Sequence, residues 1–328
     1  MPAPEKTQEP EPRPSSPEES ASNAQSDQIR LAEARRKSAN RTLVIVAILC
    51  VVVPFLFWRG TWFGRNLSDE ELGQYLTDKE SPRHSQHALV QIGQRIGRGD
   101  TAVKRWYPQV VSLAQSPIPE IRVTLAWVMG ADNHSAEFHQ TLLNLLLDPE
   151  PLVRRNAALS LVRFGDSSGK PELLNMLHPY TVRAPRAGML HYRVKQGDSV
   201  DRGTVLADLE GGDQEPLEIP SPLPGRVQSR LIEDGTRVAI SREILILSPG
   251  PEHVWEALRA LYLVGEAEDF PDVERFATGS VPGMTPQIQR QATLTAEEIR
   301  RRSSTPAHPN KPGNPLAPKQ AQSPGPVQ

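Results

Sequence analysis

The residue types best suited to chemistry lie in one short stretch, ADNHSAEFHQ, where Asp132, His134, Glu137 and His139 offer the imidazole and carboxylate groups that hold divalent metals. A metal centre needs those groups on one side of their element. His134 and His139 are five positions apart, which places them on different sides of a helix. The stretch reads better as a loop entering a helix, with Ser135 or Asn133 as the cap and Glu137 favouring the helix dipole. His84 and His87 make no stronger case, so no metal site is expected. Catalytic motifs are absent too. There is no phosphate-cradling G-x-x-x-x-G-K-[ST], no G-x-S-x-G elbow and no H-E-x-x-H. No catalytic residue is assigned, and the chain is expected not to be an enzyme.

Other chemically conspicuous residues have structural readings. Trp106, Tyr107, Trp127 and Trp255 recur at helical spacing and are expected to pack between repeats. Arg154 and Arg155, just after a turn, are expected on exposed helix faces, and Arg300 to Arg302 at a solvated helix end. With 37 basic against 39 acidic side chains the chain has no global field for nucleic acid, which is not expected as a partner. Cys50 is the only cysteine, so there is no disulfide framework within the chain and no cysteine-based zinc site.

The elements that must position these residues divide the chain. Residues 1–41 and 303–328 are rich in Pro, Ser, Gln and charge, with few large apolar side chains, and are expected to be disordered tails. From Thr42 to Trp58 runs TLVIVAILCVVVPFLFW, uncharged and of a length that nearly spans a hydrocarbon core, so one transmembrane helix is expected over 42–58. Arg30, Arg35, Arg36, Lys37 and Arg41 precede it and only Arg59 and Arg65 closely follow, which predicts a cytoplasmic N-terminus. A juxtamembrane segment, 59–80, leads to the folded region.

Three stretches, VVSLAQSP, LLNLLLDP and LLNMLHP, each end a helical apolar pattern at a proline, and they recur about every thirty-two residues. A second helix follows the first two stops, IRVTLAWVMG and VRRNAALSLVRFG, with Gly130 and Gly165 suited to C-terminal caps. After the third stop that second helix is delayed until PEHVWEALRALYLVGEAE, which implies an insertion of about seventy residues inside one repeat. DPEPLVRRNAALSLVRFGD resembles HEAT-type repeats, whose paired helices bury their apolar faces on their neighbours. The repeats are expected over 81–179 and 250–302.

The insert, 180–249, has a β texture and repeats itself. Pro185 matches Pro222, Gly188 matches Gly225, Gly197 matches Gly235 and Val200 matches Val238, with a further turn at Gly203. The phrases APRAG, VKQGDSVDRG, SPLPGRV and EDGTRV resemble the biotinyl/lipoyl-type barrel-sandwich hybrid shared by carrier domains and HlyD-type membrane-fusion adaptors. That resemblance implies a modified lysine on the hairpin between the halves. The connection here, Glu210 to Glu218, has none, so no cofactor is expected. It is also too short for the long helical hairpin of the export adaptors.

The expected fold class is a multidomain α plus β chain: one transmembrane helix and an α-solenoid of HEAT-like pairs interrupted by a small all-β barrel-sandwich hybrid. The expected function is a non-enzymatic scaffold in the bacterial envelope. It would be anchored in the inner membrane with its C-terminal domains outside the cytoplasm, and would bind proteins, a transporter among the candidates. The alternative is a diverged periplasmic adaptor of an inner-membrane export system.

Overall fold

The structure, a computed structural model, describes residues 66–304 apart from 79, 212 and 213. Among the described residues seven α-helices precede the insert: α1 (Asp69–Thr77), α2 (Pro82–Gly97), α3 (Tyr107–Ser112), α4 (Pro119–Met129), α5 (Ala136–Leu145), α6 (Pro151–Arg163) and α7 (Lys170–Asn175). Three follow it: α8 (Pro251–Val264), α9 (Phe270–Ala277) and α10 (Pro286–Ser304). Their starts are written locally. Ser68 and Glu71 close a reciprocal capping box on α1, Ser135 accepts from Phe138 N–H to cap α5, and prolines open α4, α6 and α8, where a missing N–H costs no hydrogen bond.

The even-numbered helices form one row, α2 on α4 on α6 on α8 on α10, and α1, α5, α7 and α9 pack on their even-numbered partners. The row is unbroken across the insert because α6 and α7 both pack on α8. Equivalent side chains tie it together. Ser160 Oγ on α6 donates to Ala126 O on α4 at 2.7 Å, and Thr295 Oγ1 on α10 donates to Leu258 O on α8 at 2.9 Å. One apolar core gathers Leu89, Leu125, Phe138 and Leu161; a second unites Leu173 and Met176 before the insert with Leu258 and Phe276 after it. Lys170 clamps the two sides, its Nζ lying 2.6 Å from Glu266, 2.7 Å from Glu268 and 3.4 Å from Asp269. Burial works against its charge, but hydrogen bonds to Glu266 and Glu268 outweigh that and raise its pKa.

The insert is eight strands: β1 (Tyr180–Arg183), β2 (Gly188–Tyr192), β3 (Ser199–Val200), β4 (Val205–Gly211), β5 (Gln214–Pro220), β6 (Gly225–Arg230), β7 (Arg237–Val238) and β8 (Glu243–Pro249). They make two four-stranded antiparallel sheets, ordered β1-β8-β6-β3 and β5-β4-β2-β7, which share one apolar core around Leu190, Leu209, Val227 and Leu245. Exchanging the first four strands with the last four converts one order into the other. The hydrogen bonds obey the same exchange: Gly197 N–H to Val227 O and Gly235 N–H to Leu190 O are both 2.8 Å, as are Gly203 N–H to Ser221 O and Ser241 N–H to Ala184 O.

The expected fold class is corrected in two respects. The β-module is a pair of open antiparallel sheets rather than a barrel-sandwich hybrid: β3 and β7 are two residues long, and β1 and β5 each pair on one side only, so no ladder closes the sheets into a barrel. The chain is a mixed α/β protein. Among the described residues no helix is long and apolar enough to cross a membrane; the longest, α10, carries Arg290, Glu297, Glu298 and Arg300. The run Thr42–Trp58 expected to form the span lies outside the described residues.

Candidate functional site

The β-module reaches the N-terminal ends of α4 and α6 through Arg202 and runs directly into α8 from β8. A tight turn delivers the first contact. Asp201 N–H donates to Thr204 Oγ1 at 3.1 Å, Thr204 N–H to Asp201 O at 3.1 Å, and Gly203 takes φ +86° between them. The turn aims Arg202 out of the module, and Arg202 Nη1 donates to Glu120 Oε1 on α4 at 2.9 Å while Nε lies 3.9 Å from Glu150 Oε1 at the start of α6. Glu120 is held below the usual carboxylate range by its own backbone N–H, against the effect of burial, with Arg202 adding to the lowering.

Behind this bridge lies Arg155, whose side chain is 4% exposed. Its Nη1 donates to Nδ1 of His253 on α8 at 3.0 Å, and its Nε is 3.7 Å from Glu172 Oε1 on α7. Burial pulls the guanidinium down to about 10, partly offset by the Glu172 charge. Burial, followed by the Arg155 charge, pushes His253 down to about 4, so the imidazole is neutral at pH 7 and Nδ1 is free to accept. Arg154 completes the cluster, bonding Glu172 Oε2 at 3.3 Å and Asp148 O at 2.8 Å. Tyr180, the first residue of β1, abuts these charges, and burial raises its phenol. The cluster can fix two bodies together. It presents no nucleophile paired with a base.

The expectation of exposed arginines at 154 and 155 is therefore corrected for Arg155. The helix pattern alone would leave it in water, but α7 and α8 lie against it. Trp127 departs from expectation in the other direction. It is 49% exposed, lying over Gly93 of α2, whereas Trp106 and Tyr107 are buried as packing residues and Trp255 is partly buried under Arg259. Arg302 is also not simply solvated, since it donates to the carbonyls of Leu263 at 2.8 Å and Tyr262 at 2.9 Å, closing the end of α8.

The four residues weighed as metal ligands are dispersed. His139 Nε2 pairs with Asp166 Oδ2 at 2.6 Å, Asp132 accepts from the Tyr107 hydroxyl at 2.8 Å and from His134 N–H at 3.1 Å, and Glu137 joins neither pair. No group of three potential ligands converges among the described residues. The turn residues of the module fall at matching places in the two halves. Gly197 and Gly235 take φ +92° and +75°. A Cβ at Gly188 would stand 2.8 Å from Glu210 O, and one at Gly225 would collide with Ser248 O. Pro185 and Pro222 follow β1 and β5 and line one groove between those strands.

Residues 107–187 match the family model described as HEAT repeats. Over 59 residues the chain is 36% identical to the dihydrolipoyllysine-residue acetyltransferase component of pyruvate dehydrogenase complex from strains of Staphylococcus aureus, a match covering 18% of this chain and 13% of the relative. Among solved structures, a single-chain, multi-domain long-chain acyl-CoA carboxylase aligns at a TM-score of 0.21 and 19% identity over 31% of this chain and 10% of that one, too slight a likeness to carry an argument. The chain is thus similar to HEAT repeats over part of its helical row, and it spans only about an eighth of the curated relatives it matches, at 13% of their length.

Proposed function

We propose that the described region is a non-enzymatic protein-docking platform, in which the helical row and the β-module act as one rigid surface. The observation that carries the reading is the seam itself. Arg202 of the module bridges two helix starts, and Arg155, buried between α6, α7 and α8, locks together the helices between which the module is inserted. A group carried between reaction centres needs a module that swings and an attachment point. This module is seated, and residues Glu210 to Glu218 offer no lysine amine. Helical repeats stacked in a row are a fold whose extended surface serves protein recognition. The 59-residue match to an acyltransferase component is in keeping with a carrier ancestry for part of the chain.

The export-adaptor alternative has less support. Gly211 pairs with Gln214 across the β4–β5 turn, which leaves no place for a helical hairpin. The reading is tested by crosslinking in cells, comparing the whole chain with one lacking residues 181–248, alongside intact mass spectrometry. Protein partners recovered with the whole chain and a mass equal to the bare polypeptide support it. A lipoyl or biotinyl mass increment, or turnover by the purified chain, contradicts it.

A further inference from the structure

A groove of about 620 Å³ runs between β1 and β5, walled by Tyr180, Val182 and Pro185 on one side and by Leu217, Ile219 and Pro222 on the other. Under the exchange of halves these are matching positions, so the groove lies on the internal two-fold of the module. Val182 and Ile219 are each 4% exposed, whereas Leu217 stands 37% exposed. β1 pairs only with β8 and β5 only with β4, so both strands turn an unpaired edge to the groove region. Apolar surface between two open strand edges calls for a cover.

The sequence holds a segment with matching chemistry. Beyond Ser304 the chain continues from Thr305 to Gln328, and prolines stand at 306, 309, 312, 315 and 318, one at every third position. The extended helix that proline favours has three residues per turn, and a segment with this spacing that adopted it would carry all five rings on one face. The segment contains Lys311 and Lys319 and no acidic residue, while exposed Glu215 and Glu218 lie on β5 and Arg183 is already paired with Glu243. The path is short. Arg302 fastens the end of α10 to the end of α8, and α8 begins directly after β8, the strand paired with β1. That is about 20 Å along the helix, which an extended chain covers in fewer than about ten residues.

We propose that the proline-rich segment Thr305–Gln328 folds back onto its own chain and occupies the β1–β5 groove, its proline face on Tyr180 and Leu217 and its lysines toward Glu215 and Glu218. Because the segment is tethered, an outside peptide must compete with a high effective concentration before it gains the groove. The assignment does not depend on what the helical row binds.

The test places a photo-crosslinking amino acid at exposed Leu217 of the full chain and maps products by mass spectrometry, using mixed isotope-labelled and unlabelled protein. The expected product joins position 217 to residues 305–328 of the same molecule. Replacing the five prolines with alanine is expected to cut its yield about fivefold or more. Absence of any tail product overturns the proposal, as does a product that joins only different molecules or a yield indifferent to the five-alanine change.

Discussion

The Arg155 guanidinium donates to Nδ1 of His253 at 3.0 Å across 98 residues of sequence, so the helix before the β-module and the helix after it meet through a buried cation and a neutral imidazole. That contact requires His253 unprotonated, and burial with the Arg155 charge holds its folded-state pKa at about 4.

The pH dependence follows from this depressed value. Unfolded histidine titrates near 6.5, so between about 6.5 and 4 the unfolded chain binds the extra proton. Stability from this group is fully present above pH 6.5 and is lost as pH falls toward 4, on the order of 3 kcal/mol at most. Denaturant melts of the wild type from pH 7 to 4.5 should show this decline, and His253→Leu should flatten it. In the folded protein the His253 ring resonances should stay in the neutral form down to about pH 5.

Glu172→Gln should be costly. It removes the carboxylate facing Arg155 and Arg154 and leaves a buried cation without its counter-charge. Chemical denaturation should report a loss on the order of 3 kcal/mol, whereas Arg155→Met, which removes the cation itself, should cost less.

Much of this architecture is legible in the sequence because it repeats. Gly188 and Gly225 mark equivalent backbone environments in the two halves, since close approach there admits only glycine. Even so, the glycines expected to cap α4 and α6 divide. Gly165 takes φ +71°, but Gly130 has φ −66° and is small because a Cβ would lie 2.5 Å from Ser160 Oγ. The seam is not legible. Arg154 and Arg155 are adjacent and alike in sequence, and only α8, brought in from far along the chain, sets its His253 against Arg155 rather than Arg154. Arg202 is likewise an ordinary turn residue until α4 and α6 stand beneath it.

Ser241 occupies the left-handed position that Gly203 fills in the other half of the module, with φ +64° against +86°. Relieving that strain, Ser241→Gly should stabilise the protein by about 0.5–1 kcal/mol in thermal melts. Gly203→Ala, the reciprocal change, should destabilise it by about 1–2 kcal/mol.

Lys170→Gln should loosen the region after the insert selectively. Asp269, 2% exposed, would lose its cation, and the clamp to Glu266 and Glu268 would go with it. Hydrogen exchange should accelerate in α8 to α10 while α2 and α4 keep their protection, with a stability loss of about 1–3 kcal/mol.

The central claim, that the β-module is seated on the repeats, is tested most directly by backbone ¹⁵N relaxation of the full chain, comparing the rotational correlation time of β1–β8 with that of α2–α8. One shared correlation time, with faster module motion appearing in Arg202→Glu, is the predicted result. A shorter correlation time for the module in the wild-type chain would mean that it swings independently, and would contradict the platform account.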